Sequence, residues 1–244
     1  MLIDTHFHLD LMDNMHRWIR DFYDSGTGVI AVGTTPKAFE REIQFCSRVP
    51  NIRVSLGFHP QLVAERVNEI ELFLRLLKSS KYIGEIGLDF NSSYIANREQ
   101  QLSCFRRIAK ACADEGNKVL SIHSVKASGT VIDELEKAGT FNNNTCIFHW
   151  FTGNAVERKR AIELGALFSI NPRMLKTKSG QENIRAIPAD RLLLETDAPF
   201  AIRVESAQML KEKLLELKTD IMDLRGIDEA KIIEENSLRI FEAL

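Results

Sequence analysis

Six side chains that bind metal ions well stand at the ends of short apolar runs in this sequence. They are His6, His8, Glu85, His123, His149 and Asp197. Each run reads as a β-strand, and a His-x-His pair on a strand points both imidazoles the same way because side-chain direction alternates with period two. Imidazole and carboxylate suit zinc, manganese and similar ions, whereas magnesium prefers oxygen ligands. The pattern therefore predicts one cluster of divalent-metal ligands and leaves the ion open.

Eight segments with strand character are spaced along the chain, and helical patterns lie between them. The strand segments are residues 2–6, 28–33, 52–57, 82–87, 118–123, 145–149, 166–171 and 191–196. The main helical patterns are residues 69–77, 98–115, 131–138, 155–164, 207–217 and 228–241, the last with Asp228 as N-cap. One strand about every 30 residues is the spacing of a strand-plus-helix unit. The chain is therefore predicted to be α/β, a single (β/α)8 TIM barrel whose strand ends build the active site.

Composition is consistent with one soluble enzyme domain over residues 1–244. The chain is 44% hydrophobic and 27% charged, with a net charge of −2. This balance gives no overall basic surface, so binding of a polyanion would need a local basic rim or bound cations. No G-x-S-x-G elbow and no phosphate-binding P-loop compete with the metal cluster as a source of chemistry.

The cysteines and the N-terminus indicate a cytoplasmic protein. The four cysteines, Cys46, Cys104, Cys112 and Cys146, show no C-x-x-C spacing and stand in apolar contexts, which predicts reduced and buried thiols. No secretory leader pattern and no apolar run approaching the roughly 18 residues of a membrane span are present. We therefore expect no membrane contact.

Six short motifs follow one another between residues 6 and 200. They are residues 6–10 (HFHLD), 57–60 (GFHP), 84–89 (GEIGLD), 122–124 (IHS), 149–153 (HWFTG) and 195–200 (ETDAPF). Together with residues 236–241 (NSLRIF), the series resembles the TatD family of metal-dependent deoxyribonucleases. Each motif alone is weak, but six in order make a chance match improbable.

The resemblance implies a TIM-barrel hydrolase that uses one to three divalent metal ions, Zn, Mn or Mg, to cleave phosphodiesters. It implies that His6, His8 and Asp197 hold one ion and that His123 and His149 hold a second. Glu85 would bridge the two ions. Asp197 is also placed to accept the proton of a metal-bound water, so Asp197 and Glu85 are the candidate catalytic residues.

Three residues are candidates for substrate binding, each with an ordinary alternative. His59 could contact a substrate phosphate or form the turn after the third strand. Trp150, at a position where the family usually has Cys, could stack on a base or simply pack. Lys126 follows His123 where the family commonly has an Arg and an acid, so a point charge would replace a bidentate clamp. Asp89 could orient a ligand or cap a helix.

Other cations follow the fifth, sixth and seventh strands and could form a basic rim around DNA. Besides Lys126 they are Arg158, Lys159, Arg160, Arg173 and Lys176. For the run from 158 to 160, a solvated helix face is an equal alternative. His16 lies beyond the first motif and is expected to be a surface or packing residue.

Three functions are open from the sequence. The first is a DNase that acts on DNA ends or single strands. The second is a small-molecule hydrolase for lactones, amides or phosphoesters, because fold does not fix function. The third is a non-catalytic, metal-bound subunit of a complex. The loop after Asp197 lacks the Asn-Glu-Pro stretch of many relatives, and the trimmed loops resemble the TatD-type subunit of Qat anti-phage defence cassettes, which would imply protein partners.

Overall fold

The computed structural model describes residues 1–243 and contains eight parallel strands with helices between them. The strands are β1 (Leu2–Phe7), β2 (Thr27–Val32), β3 (Ile52–Leu56), β4 (Tyr82–Asp89), β5 (Val119–Val125), β6 (Thr145–His149), β7 (Leu167–Ile170) and β8 (Leu192–Leu194). All belong to one sheet and follow sequence order within it. The predicted (β/α)8 fold is confirmed.

The helices occupy the segments between the strands and the C-terminal part of the chain. They are α1 (Met15–Tyr23), α2 (Pro36–Cys46), α3 (Val63–Arg66), α4 (Ile70–Leu77), α5 (Arg98–Glu115), α6 (Ser128–Ala138), α7 (Ala155–Glu163), α8 (Pro172–Leu175), α9 (Lys178–Ala186), α10 (Ala207–Arg225) and α11 (Ile227–Phe241). No helix among residues 1–243 is long and apolar enough to cross a membrane.

The chain divides into two compact units. The first contains Met1–Val32, Glu40–Val54 and the chain from Phe168 onward, and the second contains Gly33–Phe39 and Ser55–Leu167. The single-domain boundary of 1–244 stays a prediction.

In the first unit, β1 pairs with β2 and β7 pairs with β8. The buried Phe7 ring lies 5.5 Å from Trp18 and 5.8 Å from Phe22, which fixes α1 against β1. The C-terminal helix α11 holds the start of β8, since the buried Asn236 amide donates to the carbonyls of Ala189 at 2.9 Å and Leu192 at 3.1 Å. These bonds give a structural reason for the Asn near the end of the chain.

In the second unit, β4, β5 and β6 pair in parallel. A buried lysine supports the start of β5, where Lys118 Nζ donates to the carbonyls of Leu77 at 3.0 Å, Lys78 at 3.3 Å and Ser80 at 2.8 Å. These carbonyls lie at and just after the C-terminus of α4, where a positive charge is favourable. The ammonium group therefore joins α4 to β5.

Gly87 allows β4 to approach β5 beside a candidate ligand. Its φ is +142°, and a Cβ atom at this position would lie 2.0 Å from the carbonyl oxygen of His123. Only a residue without a side chain fits such a contact. The position of His123 therefore depends on a glycine one strand away.

The observed elements differ from the predicted ones mainly at their ends. The predicted N-cap Asp228 is wrong, because Gly226 caps α11 and Asp228 lies in its first turn. Helix α10 continues to Arg225, well past residue 217, and β8 ends at Leu194, before the predicted ligand Asp197. The four cysteines are free and buried, as expected.

Replacing Gly87 with Ala should displace the His123 backbone. We expect a destabilisation of about 1–3 kcal/mol, the usual cost of forcing extra atoms into a packed region, together with weaker metal binding. Gly26→Ala is the control, because Gly26 also has a left-handed φ of +67° but its nearest foreign atom would be Lys211 Nζ at 3.5 Å. Thermal melts and metal titrations of both variants check this. Equal effects would show that backbone strain alone matters.

Candidate metal centre

The first unit brings three of the predicted ligands together. His6 lies on β1, His8 follows that strand directly, and Asp197 lies three residues after β8. The backbone joins the two segments, because the amide of Asp197 donates to the carbonyl of His6 at 3.0 Å. The amide of His8 likewise donates to the carbonyl of Ala198 at 3.1 Å.

A buried carboxylate beside this group fixes its backbone. Asp4, which is fully buried, accepts hydrogen bonds from the amides of His6 at 3.1 Å and Thr196 at 2.9 Å and from the Thr196 hydroxyl. Burial raises the pKa of Asp4 to about 7, with a further contribution from the nearby Glu195, although these hydrogen bonds oppose the rise. Asp4 thus joins the backbone of His6 to Thr196, the residue before Asp197.

The donor atoms of the first group have the spacing expected around one ion. His6 Nε2 lies 3.3 Å from His8 Nε2, and Asp197 Oδ1 lies 3.7 Å from the first nitrogen and 3.5 Å from the second. With metal–nitrogen distances of about 2.0–2.1 Å, neighbouring donors around one ion are separated by roughly 2.9–3.4 Å. Two nitrogens and one carboxylate oxygen therefore fit a divalent ion after small adjustments.

The second unit brings the other three predicted ligands together. Glu85 Oε1 lies 2.6 Å from His123 Nδ1 and 2.9 Å from His149 Nε2, and the two nitrogens are 3.4 Å apart. All three side chains are buried. Glu85 lies on β4, His123 on β5 and His149 at the end of β6, so neighbouring strands supply one ligand each. The arrangement of six ligands as one two-ion cluster stays a prediction.

Asp89 orients the His123 ring. Its Oδ2 atom lies 3.1 Å from His123 Nε2 and accepts a hydrogen bond from Gln61 Nε2 at 2.7 Å, while its Oδ1 accepts the amide of Asn91 at 2.8 Å. Acceptance of the Nε2 proton leaves Nδ1 of His123 as the atom that can bind an ion. The contact with His123 agrees with the interpretation that Asp89 orients a predicted ligand. The helix-cap interpretation is wrong, because Asp89 ends β4 and accepts the Asn91 amide in the turn that follows, and Asn97 caps α5.

His59 is held as a hydrogen-bond donor. Its Nδ1 accepts the amide of Gln61 at 3.2 Å, so the proton of the neutral ring is on Nε2, which lies 3.3 Å from Glu85 Oε2. His59, Glu85 and His123 also offer donor atoms close enough to share an ion. The fixed tautomer favours donation to Glu85 or to a substrate oxygen over ligation through Nε2. His59 therefore holds the turn after β3 through Nδ1 and contacts Glu85 through Nε2.

The histidines keep Glu85 ionised. Burial alone would raise the pKa of Glu85, but His59, His149 and His123 outweigh burial and hold this pKa well below its usual range. His123 responds in the opposite way. Burial opposes its protonation, yet hydrogen bonds with Asp89 and Glu85 raise the pKa of its ring. A divalent ion bound at Nδ1 would replace a proton that these two carboxylates stabilise on the His123 ring.

Glu42 is a buried acid near the first group that sequence patterns gave no reason to select. It lies on α2, is only 4% exposed, and its Oε1 has no hydrogen-bond partner within residues 1–243. Burial and the nearby Asp10 raise the pKa of Glu42 to about 8, against a smaller opposing effect of His8. Its helical spacing resembles that of any surface acid, so only the packing reveals it.

The three predicted substrate residues lie where their strands end. His59 follows β3, Lys126 follows β5 and Trp150 follows β6, and both of the last two have left-handed backbone conformations. Lys126 is exposed and forms no ion pair with residues 1–243, whereas Trp150 is half-buried. Their roles in substrate binding stay predictions.

The predicted basic rim separates into different groups of residues. Arg160 pairs with Asp133 and Glu136, and Lys159 lies 3.8 Å from Glu163, so both belong to ion-paired helix surfaces. Arg158 shares α7 with them, whereas Arg173 Nε donates to the carbonyl of Ala201 at 3.0 Å. Lys176 is exposed just after α8. His16 is exposed on α1, with its ring 4.8 Å from Phe45, as expected for a surface residue.

Residues 3–242 match the family model described as TatD related DNase. A 3'-5' ssDNA/RNA exonuclease TatD from Pantoea vagans is 31% identical over 73% of this chain and 71% of its own length. An uncharacterized metal-dependent hydrolase, YabD from Bacillus subtilis, is 28% identical over 99% of both chains. The crystal structure of YJJV, a TatD homolog from Escherichia coli, has a TM-score of 0.83 at 20% identity and covers 98% of this chain and 97% of that one.

The raised pKa of Glu42 predicts a pH-dependent stability. In the folded protein Glu42 keeps its proton up to about pH 8, whereas the ordinary pKa of a glutamate is 4.5. The stability that neutral Glu42 contributes is therefore complete below about pH 4.5 and is lost as the pH rises through 8. Glu42→Gln should remove this loss, and its melting temperature, measured with chelator present, should fall less than that of the wild type between pH 5 and 9.

The matched control is Glu40→Gln, because Glu40 is exposed on the same helix. It should follow the wild-type curve. Parallel curves for Glu42→Gln and the wild type would show that Glu42 is not held neutral.

Proposed function

Because this chain belongs to the TatD family and is a metal-dependent hydrolase, we propose that it is a nuclease that removes nucleotides from single-stranded ends. The observation that carries the proposal is the pair of donor groups, each with two imidazole nitrogens and one carboxylate oxygen at mutual distances between 2.6 and 3.7 Å. Such groups fit ions that act on phosphodiesters.

The ligands proposed for the first ion are His6, His8 and Asp197, and those for the second are Glu85, His123 and His149. When bound, divalent ions polarise a phosphoryl group and lower the pKa of water. Zn, Mn and Mg all stay open as the ion, although the four imidazoles favour Zn or Mn. A third ion, if used, would need ligands beyond these two groups.

The protein itself supplies the proton transfers and the binding of charge. Asp197 would accept the proton of the attacking water, because its carboxylate lies beside the imidazoles that would hold an ion, with Oδ1 3.5 Å from His8 Nε2. Glu85 remains ionised and could accept a proton in the same way. His59 is positioned to donate to a phosphate oxygen, and Lys126 offers an unpaired ammonium beyond β5.

Support for a single-stranded substrate comes from the relatives. The Pantoea vagans protein, named a 3'-5' ssDNA/RNA exonuclease, is 31% identical to this chain. A protein from Erwinia tasmaniensis with the same name is also 31% identical, over 72% of this chain. DNA ends or single strands are therefore the substrates that we propose to test first, with RNA as the second.

We also propose a cytoplasmic location, which the four free and buried cysteines favour. We further propose a role in anti-phage defence, with protein partners from the same cassette. This proposal rests only on the trimmed loops. A small-molecule substrate is the outcome expected if nucleic acids are not cleaved.

Asp197→Asn should nearly abolish hydrolysis and leave the fold intact. The change removes a ligand charge and the proposed proton acceptor while preserving shape, so kcat should fall by at least about 100-fold, the lower range for loss of one general base. Chelation should have the same effect. Single strands labelled at the 3′ or 5′ end, tested with Zn, Mn and Mg, measure rate and polarity together. Full activity in chelated enzyme or in the variant would rule out this mechanism.

Lys126→Ala should weaken the binding of a single strand with little change in kcat. Loss of one phosphate contact should also reduce the slope of log affinity against log salt by about one. Lys159→Ala is the matched control, because Lys159 is also exposed but lies 3.8 Å from Glu163 on the same helix. Affinity that ignores both salt and Lys126 would favour a small neutral substrate.

A further inference from the structure

A large aromatic side chain next to the first ligand group is exposed. Phe200, three residues after Asp197, leaves 53% of its surface open to solvent. Isolated exposed apolar residues are common and need no function. Phe200 differs from them by its position, because its ring centroid lies 5.0 Å from that of His8.

The geometry of this ring leaves room for a stacking partner. The Phe200 and His8 rings are almost perpendicular, at 88°. In a perpendicular pair, His8 covers either the edge or one face of Phe200, so at least one aromatic face is not used by His8. Because 53% of Phe200 is exposed, a flat ligand can reach its side chain from solvent.

The segment that carries Phe200 is held in place from two directions. The amides of Phe200 and Ala201 donate to the carbonyl of Asp197 at 2.8 and 2.9 Å. From the other side, Arg173 Nε donates to the carbonyl of Ala201 at 3.0 Å. A backbone segment fixed in this way loses little conformational freedom when a ligand binds.

Arg173 is itself positioned by a buried network. The Asn171 side chain caps α8 by accepting the amides of Arg173 and Met174 at 3.0 and 3.2 Å. Its amide nitrogen donates to the buried Glu195 carboxylate at 2.9 Å, which sets the direction of the Asn171 amide. Glu195, Asn171 and Arg173 thus form a chain of contacts from the interior to the Phe200 segment.

From these observations we infer that Phe200 is a nucleobase-stacking residue of the substrate site. The inference rests on the proposed nuclease function and adds where a base would bind. A base is separated from its phosphate by one sugar, so a phosphate bound at an ion that His6, His8 and Asp197 would hold would bring a neighbouring base within reach of a ring beside His8. Stacking tolerates every base, which suits a nuclease that degrades strands of any sequence.

The test compares Phe200→Leu and Phe200→Trp with the wild type on two kinds of single strand. One has normal nucleotides on both sides of the terminal scissile bond, and the other has abasic residues there. Phe200→Leu should raise KM for the normal strand about tenfold, within the range for loss of one stacked base. It should change KM for the abasic strand little, and Phe200→Trp should restore normal KM. Tyr23→Leu is the control, because Tyr23 is 59% exposed at the end of α1.

Bound metal is measured for every variant, since Phe200 contacts the ligand His8. Full metal content with the KM change limited to base-containing strands supports stacking. An equal change in KM for normal and abasic strands, or a loss that follows metal content, overturns it. If the wild type degrades strands and Phe200→Leu matches it, stacking fails while the nuclease proposal stands. If the wild type degrades no strand, both fail.

Discussion

A buried carboxylate stays ionised only if its surroundings replace the water that it has lost, and Glu85 imposes this requirement on the second unit. Three histidines meet it, with His123 Nδ1 at 2.6 Å, His149 Nε2 at 2.9 Å and His59 Nε2 at 3.3 Å. Asp89 completes the environment of one of these rings, because His123 serves Glu85 through Nδ1 while its Nε2 lies 3.1 Å from Asp89 Oδ2. Strand spacing, the glycine at position 87 and the turn after β3 all follow from bringing these groups together.

The first unit also contains a buried acid, but there burial raises the pKa of the carboxyl group instead of leaving it ionised. Asp4 is fully buried beside Glu195, and burial raises its pKa to about 7, so this acid readily keeps its proton. Its oxygens serve as hydrogen-bond partners for the backbone of His6 and Thr196, which places the two ligand segments without a countercharge at that point. Glu195 is satisfied by Ser169 and Asn171. In the first unit, Asp4 and Glu195 therefore hold other groups in place, whereas Asp197 offers the predicted ligand oxygen.

The sequence predicted the elements well because strand and helix periodicities are local, and the ligand candidates followed since strand ends carried unusual residue types. It predicted helix and strand ends less well. Gly226 rather than Asp228 caps α11. The chain turns at Gly226 with a φ of +96°, which favours glycine, whereas N-cap propensity alone ranks an acid above glycine. The burial of Glu42 and the ion pairs of Arg160 could not be predicted from the sequence, since both depend on how the helices pack. Phe200 was passed over in favour of Trp150, because aromatic residues read alike until exposure is known.

Likeness of fold does not identify the substrate here, since the E. coli structure shares only 20% of its residues with this chain at a TM-score of 0.83. What a barrel hydrolase cleaves is decided by side chains on the loops that follow its strands. In this chain those loops carry a cation without an ion pair at Lys126 and an exposed ring at Phe200. Neither is fully committed to the fold, because the Lys126 ammonium makes no ion pair within residues 1–243 and Phe200 is 53% exposed. Under the proposed function, these two exposed groups near the predicted metal ligands are the ones through which a polyanionic, base-bearing substrate would be selected.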